Sequence, residues 1–338
     1  MEQWIHHVIQ ELPLYALFAI IVVTLYTLGK GADWLVEEAV ILSVRWGVPK
    51  VLIGATIVSL GTTTPEAAVS VLAAIKGNPD FALGNAVGSI ICDTGLILGT
   101  AALIAPLPLN RRIVNRQGWL QLGAGVLLVV SCLFVGSEGR HLPQFMGFVF
   151  LILLVAYLWQ SIRWSRDVDQ DAIAEDVESA EGNANAIFVV LKLVFAIAVV
   201  VASSWILIPA AKETALRLHV PQSIIAASIV ALGTSLPEFV TAVTAARRGH
   251  GELAVGNVIG ADILNVLFVA GVSAAVTTGG LVAASHFFVI LFPTMLFILV
   301  VFRIGIFTSG DTLKRPFGVV LIGAYVAVMI VSYVFRSV

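Results

Sequence analysis

Two matching stretches of the chain each place a glutamate directly after a proline inside an otherwise apolar segment. The first runs from Gly61 to Glu66 with the sequence GTTTPE, and the second runs from Gly233 to Glu238 with the sequence GTSLPE. Proline has no backbone N–H, so the carbonyl four residues earlier loses its donor and carbonyl oxygens are left free at each break. Carboxylates, hydroxyls and carbonyls are the oxygen ligands that hard cations prefer, and a carboxylate is costly in hydrocarbon unless it is used. These residues therefore point to cation handling inside a membrane.

The composition agrees with a membrane protein. The chain has 338 residues, of which 59% are hydrophobic and 12% are charged, and its mean hydropathy of +1.00 is too high for a soluble domain. The net charge of -2 comes with no dense basic cluster, so nucleic acid is not expected as a partner and the lipid bilayer is the expected surroundings. Cys92 and Cys132 lie in apolar runs without metal-ligand spacing and are interpreted as packing residues.

The apolar runs predict an all-α integral membrane fold with ten transmembrane helices, because about 20 apolar residues are needed to cross a bilayer as a helix. The Gly, Pro and Thr clusters predict that the second and seventh helices are broken near the midplane of the membrane. The predicted spans cover residues 13–40, 49–76, 80–106, 113–136, 142–163, 186–216, 220–247, 250–275, 281–303 and 315–336.

An internal repeat divides the chain into two halves. Residues 45–104 and 217–276 align without a gap at a constant offset of 172 positions, with about 23 identities in 60 positions. Five spans in each half is an odd number, so the second copy must run through the membrane inverted relative to the first. Residues 1–162 form the first predicted five-helix repeat, with its motif at 54–99. Residues 186–338 form the second, with its motif at 226–271.

The segment between the halves, residues 163–185, is rich in Asp and Glu and is interpreted as a solvated linker. Lys and Arg are concentrated in the connections on the same side of the membrane as this linker, including Arg111, Arg112, Arg247 and Arg248. By the positive-inside rule that side is cytoplasmic. We therefore expect a multi-pass protein of the cell membrane, inner or plasma, with both termini outside.

A second polar stripe follows each glutamate motif. Asn85, Ser89 and Asp93 are spaced by four residues, which puts them on one face of a helix, and the second copy has Asn257, Ala261 and Asn265 at the matching positions. Asp93 places a carboxylate in the middle of an apolar helix, and a functional role is the expected reason for it. The glycines interleaved with the stripe have the spacing that lets helices pack closely.

These paired motifs, each followed by a Gly-Asn pair and an Asp or Asn, resemble the alpha repeats of the calcium/cation antiporter superfamily, specifically its sodium/calcium exchanger branch. The resemblance covers all ten spans. It implies that Ca²⁺ is exchanged for Na⁺ by alternating access, with the first and sixth spans sliding across a core that holds the ions. It implies no cofactor, and it places the site within one protomer whether or not the protein is a homo-oligomer.

The resemblance also implies roles for individual residues. Glu66 and Glu238 would be Ca²⁺ ligands, with Asp93 and Asn265 at the central polar positions. The remaining implied ion-site residues contribute hydroxyl or backbone oxygens, and they are Thr62, Thr63, Thr234, Ser235, Ser89, Ser59 and Ala231.

The sequence departs from the family pattern at two places that matter for the coupling ion. Ala261 lacks the hydroxyl that a Na⁺ site would use, and Asp262 adds a carboxylate where an amide is usual. The side chain of Asp262 lies about 100° round the helix from that of Ala261. Two placements of this side chain stay open: it lines the site, or it faces a neighbouring helix. A Ca²⁺/H⁺ or other cation antiporter with the same fold is therefore the alternative function.

Two other functional classes, an intramembrane enzyme and a passive channel, agree less well with the sequence. An intramembrane enzyme would need a nucleophile and base or a metal-ligand set, and no HExxH or comparable motif is present, so the chain is not expected to be an enzyme. A passive channel would not need an inverted repeat with broken helices, which favours a carrier.

Overall fold

The computed structural model describes residues 8–136, 139–165, 186–218 and 233–335, and these residues form a bundle of helices. The helices in chain order are α1 (Leu14–Trp46), α2 (Lys50–Thr62), α3 (Thr64–Ile75), α4 (Pro79–Ile104), α5 (Arg111–Ser131), α6 (Gln144–Ser165), α7 (Ala186–Arg217), α8 (Leu236–Arg247), α9 (Gly251–Val276), α10 (Phe287–Thr308) and α11 (Arg315–Phe335).

The helices are long and apolar enough for a membrane protein. Within the described residues, six of them could each cross a bilayer by length and composition, namely α1, α4, α6, α7, α9 and α10. The bent pair formed by α2 and α3 makes a seventh candidate. The prediction of an all-α membrane fold is therefore confirmed at this level.

The predicted break in the second span is present. α2 ends at Thr62 and α3 begins at Thr64, with a bend of 43° between them. Pro65 occupies the first turn of α3, where its missing N–H costs nothing to the new helix. In the seventh predicted span, residues 219–232 lie outside the described residues. The part that is described begins with a turn, and α8 then carries Pro237 in its first turn, as α3 carries Pro65.

Several predicted boundaries are wrong by half a turn or more. α1 continues to Trp46 instead of ending at residue 40, and it ends where Gly47 adopts a left-handed conformation with φ of 61°. The fourth span ends at Ser131 and the ninth begins at Phe287, because the apolar residues beside them belong to short strands and turns. Hydrophobicity alone does not separate an apolar strand in a connection from the end of a helix.

In the described ranges, five short strands lie in the connections, which the all-α prediction missed. They are β1 (Leu107–Pro108), β2 (Val135–Gly136), β3 (Gly139–Leu142), β4 (Leu281–Val282) and β5 (Thr312–Leu313). β1 pairs antiparallel with β5, and β3 pairs antiparallel with both β2 and β4. Strands of two to four residues are too short for an alternating pattern to be visible in the sequence.

The helices also contain wide π turns that were not predicted. These turns lie at Gly54–Val58 in α2, Cys92–Ile97 in α4, Asn265–Ala270 in α9 and Phe287–Leu291 in α10. A π turn shifts the backbone hydrogen bonds by one residue and is frequent at functional sites. Asp93 and Asn265, two of the predicted site residues, lie within such turns.

Two helices lie at the centre of the bundle. The most apolar stretch of α9 is 89% buried and that of α4 is 72% buried, whereas the corresponding stretches of α1, α6 and α7 are mostly exposed. Since this chain is apolar on nearly every face, the exposed stretches are surfaces for lipid. α4 and α9 therefore carry their polar residues into the protein interior.

α2 and α9 cross at very short distance. A Cβ atom added at Gly256 would collide with the backbone carbonyl of Val51, and one added at Gly260 would lie 2.5 Å from the Cα atom of Ala55. On the α2 side, a Cβ atom at Gly54 would lie 2.6 Å from the carbonyl of Leu253. The glycines of α9 are thus packing residues, as their spacing predicted.

Substituting Gly256 by Ala should destabilise the protein, because the added methyl group meets backbone atoms that cannot rotate away. We expect a loss of about 1–3 kcal/mol, measured as a lower melting temperature of the purified protein in detergent. Gly323→Ala in α11 is the matched control, because its Cβ atom would meet nothing within 4 Å. Equal melting temperatures for the two variants would contradict the close crossing.

Candidate cation-binding site

Three of the predicted carboxylates come together in the middle of the bundle. Glu66 lies in the first turn of α3, Glu238 in the first turn of α8 and Asp93 in the π turn of α4. Each is 1% exposed. Thr63, three residues before Glu66, donates a hydrogen bond to Glu238, and α8 packs against the π turn that holds Asp93. The break before α3 and the turn before α8 are what bring the two glutamates into the core.

Most of the carboxylate oxygens in this cluster have no hydrogen-bond partner. Both oxygens of Glu66, both oxygens of Asp93 and the Oε2 atom of Glu238 are buried and unpartnered. No ion pair joins any of the three to a basic side chain within the described ranges. Buried carboxylates without hydrogen bonds or counter-charges are strongly unfavourable, so this cluster is suited to binding cations.

The hydroxyl groups beside the glutamates are arranged in a matching way. The Oγ1 atom of Thr63 donates a hydrogen bond to Oε1 of Glu238 at 3.1 Å. The equivalent residue of the second copy, Ser235, is fully buried and its Oγ atom has no hydrogen-bond partner. The first copy therefore supplies a hydroxyl to the glutamate of the second, and the matching hydroxyl of the second copy is unengaged.

The threonine one position earlier in each copy contacts an asparagine of the opposite copy. Thr62 contacts Oδ1 of Asn257 at 3.5 Å, and Thr234 contacts Oδ1 of Asn85 at 3.3 Å. Asn85 also donates to Ser70 at 3.0 Å. The two asparagines occupy matching positions of the polar stripes, so the predicted stripes do face the glutamate motifs.

The other predicted site residues are placed as follows. Ser89 is buried one helical turn before Asp93, and Asn265 is buried with an unpartnered Oδ1 atom. The carbonyl of Ser59 accepts the backbone N–H of Thr63 at 2.8 Å, so at least one of its two lone pairs is used within the helix. Ala231 lies outside the described residues.

Three buried polar residues, Asp262, Gln117 and Gln121, were not in the predicted set. Asp262 is 2% exposed, and its Oδ2 atom accepts hydrogen bonds from Thr94 and from Nε2 of Gln121, the latter at 2.6 Å. Gln117 and Gln121 lie four residues apart in the apolar helix α5. That spacing is visible in the sequence and could have marked a polar face turned toward the core.

The cluster is not a ready-made metal cage. In the described part of the chain, no three or more His, Cys, Asp or Glu side chains are arranged to hold a metal ion. An ion in this cluster would therefore take a mixture of ligands, with few carboxylates and several neutral oxygens. Hydroxyls, amides and backbone carbonyls are ordinary ligands for hard cations.

The comparison with protein families decides the class of this molecule. The model of the family described as sodium/calcium exchanger protein matches residues 16–163 and again residues 188–334. The chain belongs to the sodium/calcium exchanger family. Because the family model matches twice, once on each side of the acidic segment, the duplication found in the sequence corresponds to two copies of the family's own unit.

Relatives and solved structures agree with this membership. The chain is 31% identical to the sodium/calcium exchanger MaX1 of Methanosarcina acetivorans, over 94% of this chain and 98% of that protein. It is also 31% identical to the inner membrane protein YrbG of Escherichia coli, over 93% and 96%. Its fold matches the sodium-calcium exchanger NCX_Mj soaked with Na⁺ and Ca²⁺, with a TM-score of 0.77 and 25% identity over 92% of this chain and 97% of that one.

α6 supports the first half of the broken span. The hydroxyl of Tyr157 donates to the carbonyl of Ala55, within the π turn of α2, at 2.8 Å. This bond satisfies a carbonyl in a region where the helical ladder is shifted, and it holds the residues that lead to Thr62 and Thr63.

Removing that hydroxyl with Tyr157→Phe should lower stability by about 1 kcal/mol, because a buried carbonyl loses its donor. Thermal melting of the purified protein measures the effect. Tyr26→Phe is the control, since Tyr26 is 66% exposed. A Tyr157→Phe protein that melts at the wild-type temperature would show that the bond carries no stability.

Proposed function

We propose that this protein is a secondary antiporter that exchanges Ca²⁺ for Na⁺ across a membrane. The observation that carries the proposal is the buried cluster of Glu66, Glu238 and Asp93, in which five of six carboxylate oxygens have no partner. A cluster of this kind requires cations to offset its charge inside the bundle. Membership of the sodium/calcium exchanger family supports Ca²⁺ and Na⁺ as the cations, with no cofactor needed.

Exchange follows from competition for the same charges. The three carboxylates carry three negative charges. One Ca²⁺ offsets two of them, and several Na⁺ ions can do the same. Like charges repel strongly at short distance in a low dielectric, so the two sets of cations cannot occupy the cluster together. Binding of one set therefore expels the other, and a gradient of Na⁺ can drive Ca²⁺ uphill.

The assignment of ligands rests on burial, on contacts and on the family resemblance. Glu66 and Glu238 are the proposed Ca²⁺ ligands, since each copy contributes one of them to the buried cluster and Thr63 joins the two motifs. Asp93 and Asn265 complete the centre, where both have unpartnered oxygens. The proposed neutral ligands are Thr62, Thr63, Thr234, Ser235, Ser89 and the backbone carbonyls of Ser59 and Ala231.

We infer that the spans number ten and form two inverted repeats. Supporting observations are the reciprocal contacts between the copies. Thr62 contacts Asn257 while Thr234 contacts Asn85, and β1 pairs with β5 while β4 pairs with β3. Reciprocal contacts of this form are what a two-fold relation between two copies produces. Copies of five spans each are then inverted, with the site at their interface.

The proposed organisation is a first repeat at 1–162, a cytoplasmic linker at 163–185 and a second repeat at 186–338. The positive-inside distribution of Lys and Arg supports both termini outside and location in the cell membrane. The proposed site lies within one protomer, as the resemblance implies.

α1 and α7 are the proposed moving unit. They are joined to each other by the ion pair of Glu38 with Lys192 at 3.1 Å, by a hydrogen bond of 3.0 Å between Thr27 and Ser203, and by stacked aromatic rings. Both helices expose most of their surface, unlike α4 and α9. A pair that is tied together and exposed to lipid can slide over the buried core and open the site to either side in turn.

The coupling ion can be tested directly in proteoliposomes. We expect Ca²⁺ uptake when the vesicles are loaded with Na⁺ and placed in Na⁺-free buffer, and no uptake when only a pH gradient is imposed without Na⁺. Uptake driven by the pH gradient alone would replace the proposal by Ca²⁺/H⁺ antiport. Currents far above the turnover of a carrier would replace it by a channel.

Substituting Glu66 or Glu238 by Gln should abolish Na⁺-driven Ca²⁺ uptake, a loss of at least about 100-fold, because each change removes half of the paired charge. The folded state should persist, since the amide keeps the shape of the side chain. Asp80→Asn, at an exposed position in the first turn of α4, is the control and should transport normally. Retained Ca²⁺ uptake in either glutamate variant would remove both residues from the site.

A further inference from the structure

Asp262 is held in an incomplete hydrogen-bond arrangement between three helices. It lies on α9 and is 2% exposed. Its Oδ2 atom accepts from the hydroxyl of Thr94 on α4 and from Nε2 of Gln121 on α5. Gln121 also donates to the Thr94 hydroxyl at 3.1 Å. The Oδ1 atom of the same carboxylate is buried and has no partner.

A second carboxylate with unpartnered oxygens lies beside it. Asp93 precedes Thr94 in the π turn of α4, and the part of α9 that carries Asp262 packs against that turn. Both oxygens of Asp93 are buried without a partner. Among the ion pairs of the described residues none includes Asp93 or Asp262.

The arrangement fixes one oxygen of Asp262 and leaves the other available. Two donors converge on Oδ2, which orients the carboxylate and keeps that oxygen as an acceptor. A purely structural aspartate in the core would be expected to have both oxygens satisfied. The unpartnered Oδ1 atom of Asp262 and the unpartnered oxygens of Asp93 lie on two elements that pack together, and Thr94 joins those elements by its hydrogen bond to Asp262. Hard oxygen atoms with excess negative charge are the chemistry of a cation site.

We propose that Asp262, Asp93 and Thr94 form a further cation position, distinct from the pair of Glu66 and Glu238, that binds one alkali-metal ion. The inference rests on the proposed antiport function and adds Asp262, which the family pattern does not provide as a ligand. Ala261 has lost the hydroxyl that the resemblance associates with Na⁺, and Asp262 is the next residue. The lost neutral oxygen is thus accompanied by a charged oxygen that faces α4 and α5.

The consequence is one additional monovalent cation bound per chain. Asp262 brings a fourth buried carboxylate to the region, and a monovalent ion between Asp262 and Asp93 offsets its charge. An alkali-metal ion is favoured over Ca²⁺ here because the free groups are few, while a Ca²⁺ ion takes six to eight oxygen ligands.

The test is equilibrium binding of radioactive Na⁺ to the purified full-length protein without Ca²⁺, comparing the wild type with Asp262→Asn. We expect the variant to bind one Na⁺ fewer per chain, while Ca²⁺ binding measured without Na⁺ stays within about threefold of the wild type. A parallel measurement with radioactive Rb⁺ distinguishes the ion. Rb⁺ that binds the wild type and is lost in the variant would identify a K⁺-like ion at this position.

Two outcomes would overturn the inference. An unchanged number of bound Na⁺ and Rb⁺ ions in Asp262→Asn would show that no alkali-metal ion uses this carboxylate. A loss of Ca²⁺ binding together with Na⁺ binding, in protein that remains folded, would place Asp262 in the shared Ca²⁺ site. Asp311→Asn is the control for removing one carboxylate, because Asp311 is 90% exposed, and it should bind as the wild type does.

Thr94→Val provides a second variant that keeps the charge and the shape of the side chain. It removes one neutral oxygen, so the number of Na⁺ ions should be retained while the Na⁺ concentration for half-saturation rises about threefold to tenfold. An unaltered Na⁺ concentration for half-saturation would remove Thr94 from the proposed ligands.

Failure of Na⁺-driven Ca²⁺ uptake in the wild type would instead overturn the proposed function. The failure of the proposed function and the failure of this inference are therefore distinguishable.

Discussion

The burial of unpaired carboxylates in an apolar bundle is the constraint on which the rest of this structure depends. Glu66, Glu238, Asp93 and Asp262 are each at most 2% exposed. The charges of such groups are tolerable only when cations or donors offset them. The donors present, chiefly Thr63 for Glu238 and Gln121 with Thr94 for Asp262, satisfy single oxygens and leave the others open. The interior of the bundle therefore requires cations to offset the remaining negative charge.

Close packing around the carboxylates is what makes the cluster possible. The broken second span brings the first turn of α3, with Glu66, into the core, and the glycines of α9 let α2 approach to backbone contact. Larger residues at Gly256 or Gly260 would separate the helices and draw Thr62 away from Asn257. The same residues that permit close packing thus determine which oxygens can meet at one ion.

The bundle separates a buried part from an exposed part. α4 and α9 carry the polar stripes and are almost fully covered by other helices, whereas α1 and α7 are tied to each other and face outward. In an alternating-access mechanism the ion ligands should keep their arrangement while access changes, and this division of roles suits that requirement. Reciprocal contacts between the two copies also bring polar groups of both copies to the same region of the core.

The sequence by itself determined the class of fold and named most residues of the proposed site. Long apolar runs require helices in a bilayer, a proline next to a glutamate marks a break, and the constant offset of 172 positions pairs Glu66 with Glu238 and Asn85 with Asn257. These signals are local or periodic, so they can be read without coordinates. The tertiary structure alone decided which neighbours each polar atom has. It showed that the Ser59 carbonyl is engaged by its own helix, that Asp262 faces both Thr94 and Gln121, and that π turns place Asp93 and Asn265. Those contacts depend on how helices distant in the sequence rotate and pack against one another, and no spacing within one helix encodes that rotation.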